Sequence, residues 1–221
     1  MTARARARAE LTEEIKRSAR AQLAEVGASS LSVRAIARDL GMASSAVYRY
    51  FPGRDELLTA LIVDGYGELA DVAEAAVDST EGLEFADRFL GLARAIRGWA
   101  VAHPHRYALL YGSPVPGYAA PDDTIAPAGR IVAAFISLYA DAAPGEAAGD
   151  LAPADELAFT RIRDALGSEA DDELLTRGIA AWTQLFGHIS FELFGQFTNT
   201  VDDLDAFFDR LMMVAARTAA P

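Results

Sequence analysis

Apolar residues in this chain recur every three or four positions and do not alternate with polar ones over any useful stretch. That spacing is what most limits the fold. Ile15, Ala19, Leu23 and Val26 make one stripe, and Val33, Ile36, Ala37 and Leu40 make a second. Such spacing puts one face of a helix toward a core, whereas a half-buried strand needs a period of two. The fold class read from it is all-α. With 221 residues, 52% of them apolar, the chain can form one or two domains with their own cores. It has no cysteine, so packing must hold those cores without disulfides. The longest apolar run lies around Ile131 to Ala140, well short of the roughly 20 residues that span a bilayer. Arg4, Arg6 and Arg8 lead into Glu10, Glu13 and Glu14 rather than into an apolar signal segment. A cytoplasmic location with no membrane partner is the expectation.

Punctuation residues divide the pattern. Thr12 is read as the N-cap of a first helix that Gly27 ends. Ser32 caps a short second helix closed by Gly41. A third is expected over 44–50, before Pro52-Gly53, and a long fourth from Arg54 toward 76. Further helices are expected over 83–102, 104–111, 124–141, 154–166, 170–197 and 201–219. Between them, "GSPVPGYAAPDD" reads as a loop and "DAAPGEAAGDLAPA" as a small-residue linker.

The net charge of −12 conceals a division. Residues 1–54 hold ten Lys/Arg against five Asp/Glu, a net of +5, while the remainder holds ten against twenty-seven, a net of −17. A basic head on an acidic body points to a polyanion at the head end. Two short helices joined by Gly41-Met42-Ala43 have the form of a helix-turn-helix. Val47 and Phe51 should face inward with Ile36, Leu40 and Met42, leaving Ser44, Ser45, Tyr48 and Arg49 outside. Small residues at the helix start allow close approach to a major-groove floor, and hydroxyls and cations suit phosphate oxygens. The candidate DNA-binding residues are Ser32, Arg34, Ser44, Ser45, Tyr48, Arg49, Tyr50 and Arg54. Arg4, Arg6 and Arg8 read as a disordered tail that adds electrostatic affinity.

The segment "LSVRAIARDLGMASSAVYRYFPGRDELLTALI" resembles the DNA-binding domain of the TetR family of transcriptional regulators through Ile36-Ala37, Gly41, Tyr48, Phe51 and Arg54-Asp55-Glu56-Leu57. Ala43 stands where a capping Ser is frequent, Tyr50 where His is usual and Arg54 where Lys is usual. The resemblance implies an N-terminal three-helix helix-turn-helix domain, set at 1–56, and a C-terminal helical effector-binding and dimerisation domain, set at 57–221. It further implies a homodimer on a near-palindromic operator in double-stranded DNA, most often a repressor released by a small-molecule effector. An effector-independent regulator, or an activator with the same head, is the alternative.

In the body, "IAAWTQLFGHISFELFGQF" is apolar nearly all round, which buries a helix on more than one side. The dimer-interface candidates are Phe191, Phe194, Phe197, Phe207, Phe208 and Leu211. Trp182 and Gly187 also resemble a TetR subgroup named for Trp, His and Gly, with Phe186 at the His position and His188 after the Gly. His188 is read as a hydrogen-bonded core or interface residue. The family's effector pocket implies Phe85, Phe89, Trp99, Tyr107, Tyr111, Tyr118, Phe135, Tyr139 and Trp182 as candidate lining. His103 and His105, separated by Pro104, fit a helix end better than a metal site. With no phosphate-cradling glycine loop, cysteine nucleophile or paired His-carboxylate motif, neither enzymatic activity nor a metal or cofactor is expected.

Overall fold

A computed structural model describes residues 2–140, 159, 163 and 172–220. The described elements are helices α1 (Ala3–Val26), α2 (Val33–Asp39), α3 (Ser44–Val47), α4 (Arg54–Ser79), α5 (Phe85–Ala102), α6 (Pro104–Tyr111), α7 (Ile125–Ala140), α8 (Asp172–Leu193) and α9 (Leu204–Ala219), with 3-10 turns at Ala28–Ser30 and Asp122–Thr124. No strand occurs among the described residues, so the all-α reading holds. Of the helix expected over 154–166, residues 159 and 163 are described: Arg163 is helical and its N–H donates to Phe159 C=O at 2.9 Å; the rest of that helix and the linker before it lie outside the described residues.

The chain divides into two compact units, one of Met1–Tyr66 with His103–Ile125 and the other of Gly67–Ala102 with Ala126–Pro221. The expected division at 56/57 differs for a physical reason. Leu57, Leu58 and Leu61 of α4 belong to the head core, and Leu109, Val115 and Tyr118 from the later segment pack against it.

In the first unit, Ile15, Ala19 and Leu23 of α1 meet Val33, Ile36 and Ala37 of α2, together with Val47, Phe51 and the α4 leucines. Val26, read as part of this stripe, is instead exposed, because it sits in the last turn beside Gly27. A charge cluster ties α1 to α4: Lys16 Nζ lies 2.8 Å from Asp64 Oδ2 and 2.5 Å from Glu13 Oε1, and Arg20 Nη1 lies 3.5 Å from Asp64 Oδ2. Burial works against the charge on Lys16, but hydrogen bonds to Asp64 and Glu13 outweigh it and raise the pKa.

Helix ends explain where the sequence reading missed. Helix α1 starts at Ala3 because the Thr2 hydroxyl accepts from Ala5 N–H at 3.3 Å; Thr12, expected as the N-cap, donates its hydroxyl to Arg8 C=O inside the helix. The arginine tail is therefore helical. Helix α8 stops at Leu193 rather than 197 because Gly195 takes φ 79° and Gln196 N–H donates back to Phe191 C=O at 2.8 Å. Helix α9 begins only after Asp203, whose carboxylate accepts from Ala206 N–H at 2.9 Å.

The second unit is held by α5, α8 and α9. Phe89, Leu92, Ile96 and Ala100 of α5 are fully buried, as are Leu185 and Ile189 of α8 and Phe208, Met212 and Ala216 of α9. Arg97 of α5 clasps the two other helices: two bonds of 2.7 and 2.8 Å reach Glu192, and a third contact of 2.7 Å reaches Asp205. Its guanidinium also lies 4.9 Å over the Phe208 ring.

His188 sits beside this clasp, 5% exposed, with ring centroids 4.9, 5.5 and 5.1 Å from Phe197, Phe207 and Phe208. It is a core residue as expected, but neither ring nitrogen has a hydrogen-bond partner: three phenyl rings lie against it, and the Glu192 carboxylate stays 3.8 Å from Nε2, beyond hydrogen-bond distance. Burial lowers its pKa below the ordinary 6.5; Glu192, 3.8 Å away, opposes that shift and Arg97 adds to it. The unfolded chain therefore binds this proton more readily than the folded one, and stability falls as pH drops through and below about 6.5. Thermal unfolding followed against pH should show that loss in the wild type, and His188→Leu should flatten the profile over the same window.

Candidate nucleic-acid interface

Four residues cannot sustain a helix in water, since the first turn costs more conformational freedom than one hydrogen bond returns. Helix α3 exists because Val47 is fully buried beside Ile36, Ala37 and Phe51. The turn before it is set by Gly41, at φ 65°, with Gly41 N–H bonded to Arg38 C=O and Met42 N–H to Ala37 C=O at 2.8 Å. Ala43 occupies the N-cap and offers no side-chain bond. The expected helix of 44–50 is four residues of α-helix, continued by turns in which Tyr50 and Phe51 both donate to Val47 C=O. That tightening carries Phe51 back into the core.

The outward face carries what the sequence placed there. Ser45, Tyr48 and Arg49 are exposed, Tyr48 at 39%, and Ser44 is half-buried. Arg34 on α2 is exposed as well. Three of the named candidates are engaged inside the head. The Ser32 oxygen accepts from Ala35 N–H to cap α2, and Ser32 N–H donates to Gln22 Oε1 at 2.6 Å. Tyr50 is half-buried against the core, with Arg8 5.0 Å from its ring centroid. Arg54 donates through Nη2 to the carbonyls of Ala28 and Ser29 at 3.0 and 3.2 Å, and Nη1 lies 3.6 Å from Asp55. Its guanidinium closes the turn after α1, so a phosphate contact through it competes with these bonds.

Gln22 and Arg8 were not singled out as site residues. Gln22 is legible in retrospect, as a polar residue on the stripe of Ile15, Ala19 and Leu23, where a buried amide must find a partner. The Arg8–Tyr50 contact joins residues 42 positions apart and leaves no local signal.

The expected pocket lining falls into two groups. Tyr107, Tyr111 and Tyr118 lie in the first unit. Tyr111 stacks with Tyr107 at 5.2 Å and meets Tyr66 edge-on at 6.0 Å, and Tyr118 Oη lies 2.9 Å from Thr59 Oγ1. Burial, reinforced by Tyr66 and Tyr107, pushes the Tyr111 phenol well above its usual range. Phe85, Phe89, Phe135 and Trp182 form a ladder in the second unit, with centroid steps of 6.2, 6.2 and 4.9 Å, and Phe186 extends it by 4.5 Å. Trp99 is buried in α5, and Tyr139 lies in α7. Of the interface candidates, Phe191 and Phe194 are 54% and 48% exposed, Phe197, Phe207 and Leu211 are half-buried, and Phe208 is fully buried. Phe208 therefore leaves that set: it packs against His188 and Arg97 inside its own chain.

Residues 15–61 match the family model described as bacterial regulatory proteins, tetR family, and residues 89–215 match that of the tetracyclin repressor-like C-terminal domain. The chain is 46% identical over 212 residues to the HTH-type transcriptional regulator Rv1816 of Mycobacterium tuberculosis, covering 92% of this chain and 89% of the relative. The HTH-type transcriptional regulator Mb1846 of Mycobacterium bovis matches equally. Among solved structures, the regulatory protein SCO4313 superposes with a TM-score of 0.79 at 39% identity, covering 97% of this chain and 98% of that one. A protein of unknown function from Rhodococcus sp. RHA1 shares the fold, with a TM-score of 0.65 at 24% identity over 95% and 93% of the two chains.

If Arg54 serves the turn rather than the ligand, Arg54→Met should cost the head about 1.5–3 kcal/mol in chemical denaturation, the usual loss for hydrogen bonds to a charged group. The same variant should leave the salt dependence of DNA binding unchanged.

Proposed function

The chain belongs to the TetR family of bacterial transcriptional regulators, and on that footing we propose that it is a homodimeric repressor released from a near-palindromic operator by a small-molecule effector. The family are DNA-binding regulators rather than enzymes. The observation that carries the reading is the pairing of a fully buried Val47 with an exposed Ser45, Tyr48 and Arg49 on the same short helix and its C-terminal turn. Burial on one side fixes the orientation of hydroxyl and guanidinium groups on the other. Two such helices related by a two-fold axis would enter successive major grooves about 34–36 Å apart.

Dimerisation is supported by the outer side of α8, where Ile179 and Phe191 stand exposed, by Phe194 just beyond its end, and by Val214 on α9. Beyond its own helix turn, a Cβ added at Gly187 would meet no atom of the described residues within 4 Å, so none of these requires glycine there. Close approach of a second α8 supplies a reason. The aromatic ladder from Phe85 to Phe186 supports an apolar or aromatic effector, because it is built of ring faces and no acid is buried among the described residues. Such a ligand can release the operator only through a difference in its affinity for the DNA-competent and DNA-incompetent states.

The test is fluorescence anisotropy on a duplex selected from random sequence by the purified protein. Specific binding at moderate salt is expected, with Arg49→Ala weakening it by roughly 1–3 kcal/mol; absence of any sequence preference in the wild type refutes the reading. In sedimentation velocity, Phe191→Arg combined with Phe194→Arg should convert a dimer to a monomer and abolish high-affinity binding.

A further inference from the structure

We propose that the first two turns of α1 form a basic helical spur that grips the phosphate backbone flanking the site read by α3, through Arg4 and Arg8. The inference rests on the DNA-binding reading above and deepens it. Residues 3–10 of α1 are exposed throughout, so they contribute almost nothing to the head core. Their helical register is nevertheless fixed, by the Thr2 cap at one end and the buried Ile15, Ala19 and Leu23 at the other. Following that buried stripe toward the N-terminus by three or four residues at a time leads from Ile15 through Leu11, partly buried on the core, to Arg8 and Arg4. The face that holds α1 onto the head thus continues beyond it as two arginines one turn apart, about 6 Å along the helix.

Arg8 shows which way this face looks. Its guanidinium lies over the Tyr50 ring, in the segment that directly follows the exposed Tyr48 and Arg49. A cation held over a ring face at 5.0 Å uses none of its N–H donors on that contact, so they are open to an oxygen acceptor such as phosphate. Arg4 lies one helical turn before Arg8 on the same face and is exposed. Arg6 points to the opposite side, some 200° around the helix, as does Arg17.

Two observations speak for a polyanion rather than for a structural role. Among the described residues no carboxylate pairs with Arg4, Arg6 or Arg8, although the rest of α1 is laced with ion pairs at Glu13, Lys16 and Arg20. The positive charges also crowd the N-terminal end of the helix, whose first turn carries no acid. Cations there oppose the helix dipole and weaken the isolated helix, a cost that a bound anion would offset. The occupant is duplex DNA, by charge complementarity and by continuity with the exposed face of α3.

The experiment compares two variants of equal charge in the full-length protein. Arg4→Ala with Arg8→Ala removes the inner pair, and Arg6→Ala with Arg17→Ala removes the outer pair. Affinity is measured by anisotropy over a salt series, on the selected duplex and on a random-sequence duplex. The inner pair should flatten the slope of log K against log salt by roughly 1.8 per protomer, about 0.9 for each phosphate that is no longer neutralised. It should weaken both duplexes by a similar factor and leave the ranking of sequences unchanged. Arg4→Ala alone, which leaves the Tyr50 contact intact, should give about half the change in slope and the same melting temperature as the wild type. Equal slopes for the inner and outer pairs, with wild-type binding intact, overturn the spur and spare the regulator reading. Failure of the wild type to bind either duplex overturns both.

Discussion

The arrangement of the head depends on burying Val47. A four-residue helix has no stability of its own, and its position is inherited from the side chain it sinks between Ile36, Ala37 and Phe51. Everything that gives the opposite face meaning follows from that anchorage. The same apolar cluster collects α1 and the first turns of α4, so three longer elements hold one short one in place. The polar layer around the cluster has a similar purpose. Gln22 holds the start of α2 through Ser32, Arg54 closes the 3-10 turn before it, and Lys16 with Asp64 fastens α1 to α4. Each satisfies a group that would otherwise be desolvated without a partner.

The body solves a different problem, that of three helices carrying many aromatic rings and few ways to fix their rotation. Arg97 supplies the fix, since one guanidinium meets Glu192 through two donors while its carbon lies 4.9 Å over the Phe208 ring. Arg94 repeats the device with Asp209 nearer the solvent, with bonds of 2.8 and 2.5 Å. Apolar packing alone would tolerate sliding between α5 and α9, whereas a two-pronged ion pair does not. His188 shows the cost of the crowding. Its ring fills space well but leaves two polar nitrogens among phenyl groups.

Much of this was legible in the residues, and the failures have identifiable causes. The stripe of α1 as far as Leu23, that of α2, the Gly41 turn and the inward Val47 and Phe51 follow from spacing and glycine chemistry, and the structure has them. Boundaries were less secure, because a cap depends on which of two threonines or which of two glycines the chain uses. Thr2 rather than Thr12 starts α1, and Gly195 halts α8 where the apolar pattern continues to Phe197. Roles of single polar residues were least legible. Arg54 has the side chain of a phosphate ligand, yet it is spent on the carbonyls of Ala28 and Ser29, which lie 26 and 25 residues earlier. Phe208 and Phe207 are adjacent in sequence and equally apolar, but only one points into the core. Periodicity distinguishes faces of a helix; it does not say which of two buried-looking faces meets its own chain.

The first two turns of α1 are exposed throughout and touch the head only where Arg8 lies over Tyr50. Those turns are held by one capping hydroxyl, by the Arg8–Tyr50 contact and by propagation from the supported part of the helix, so they are a portion of the head prone to fray. Whatever they touch is therefore touched by a population that shrinks on warming, before the core below has loosened at all. A head built this way couples its grip on a partner to temperature through the fraying of a few exposed alanines and arginines, with the rest of the fold unchanged.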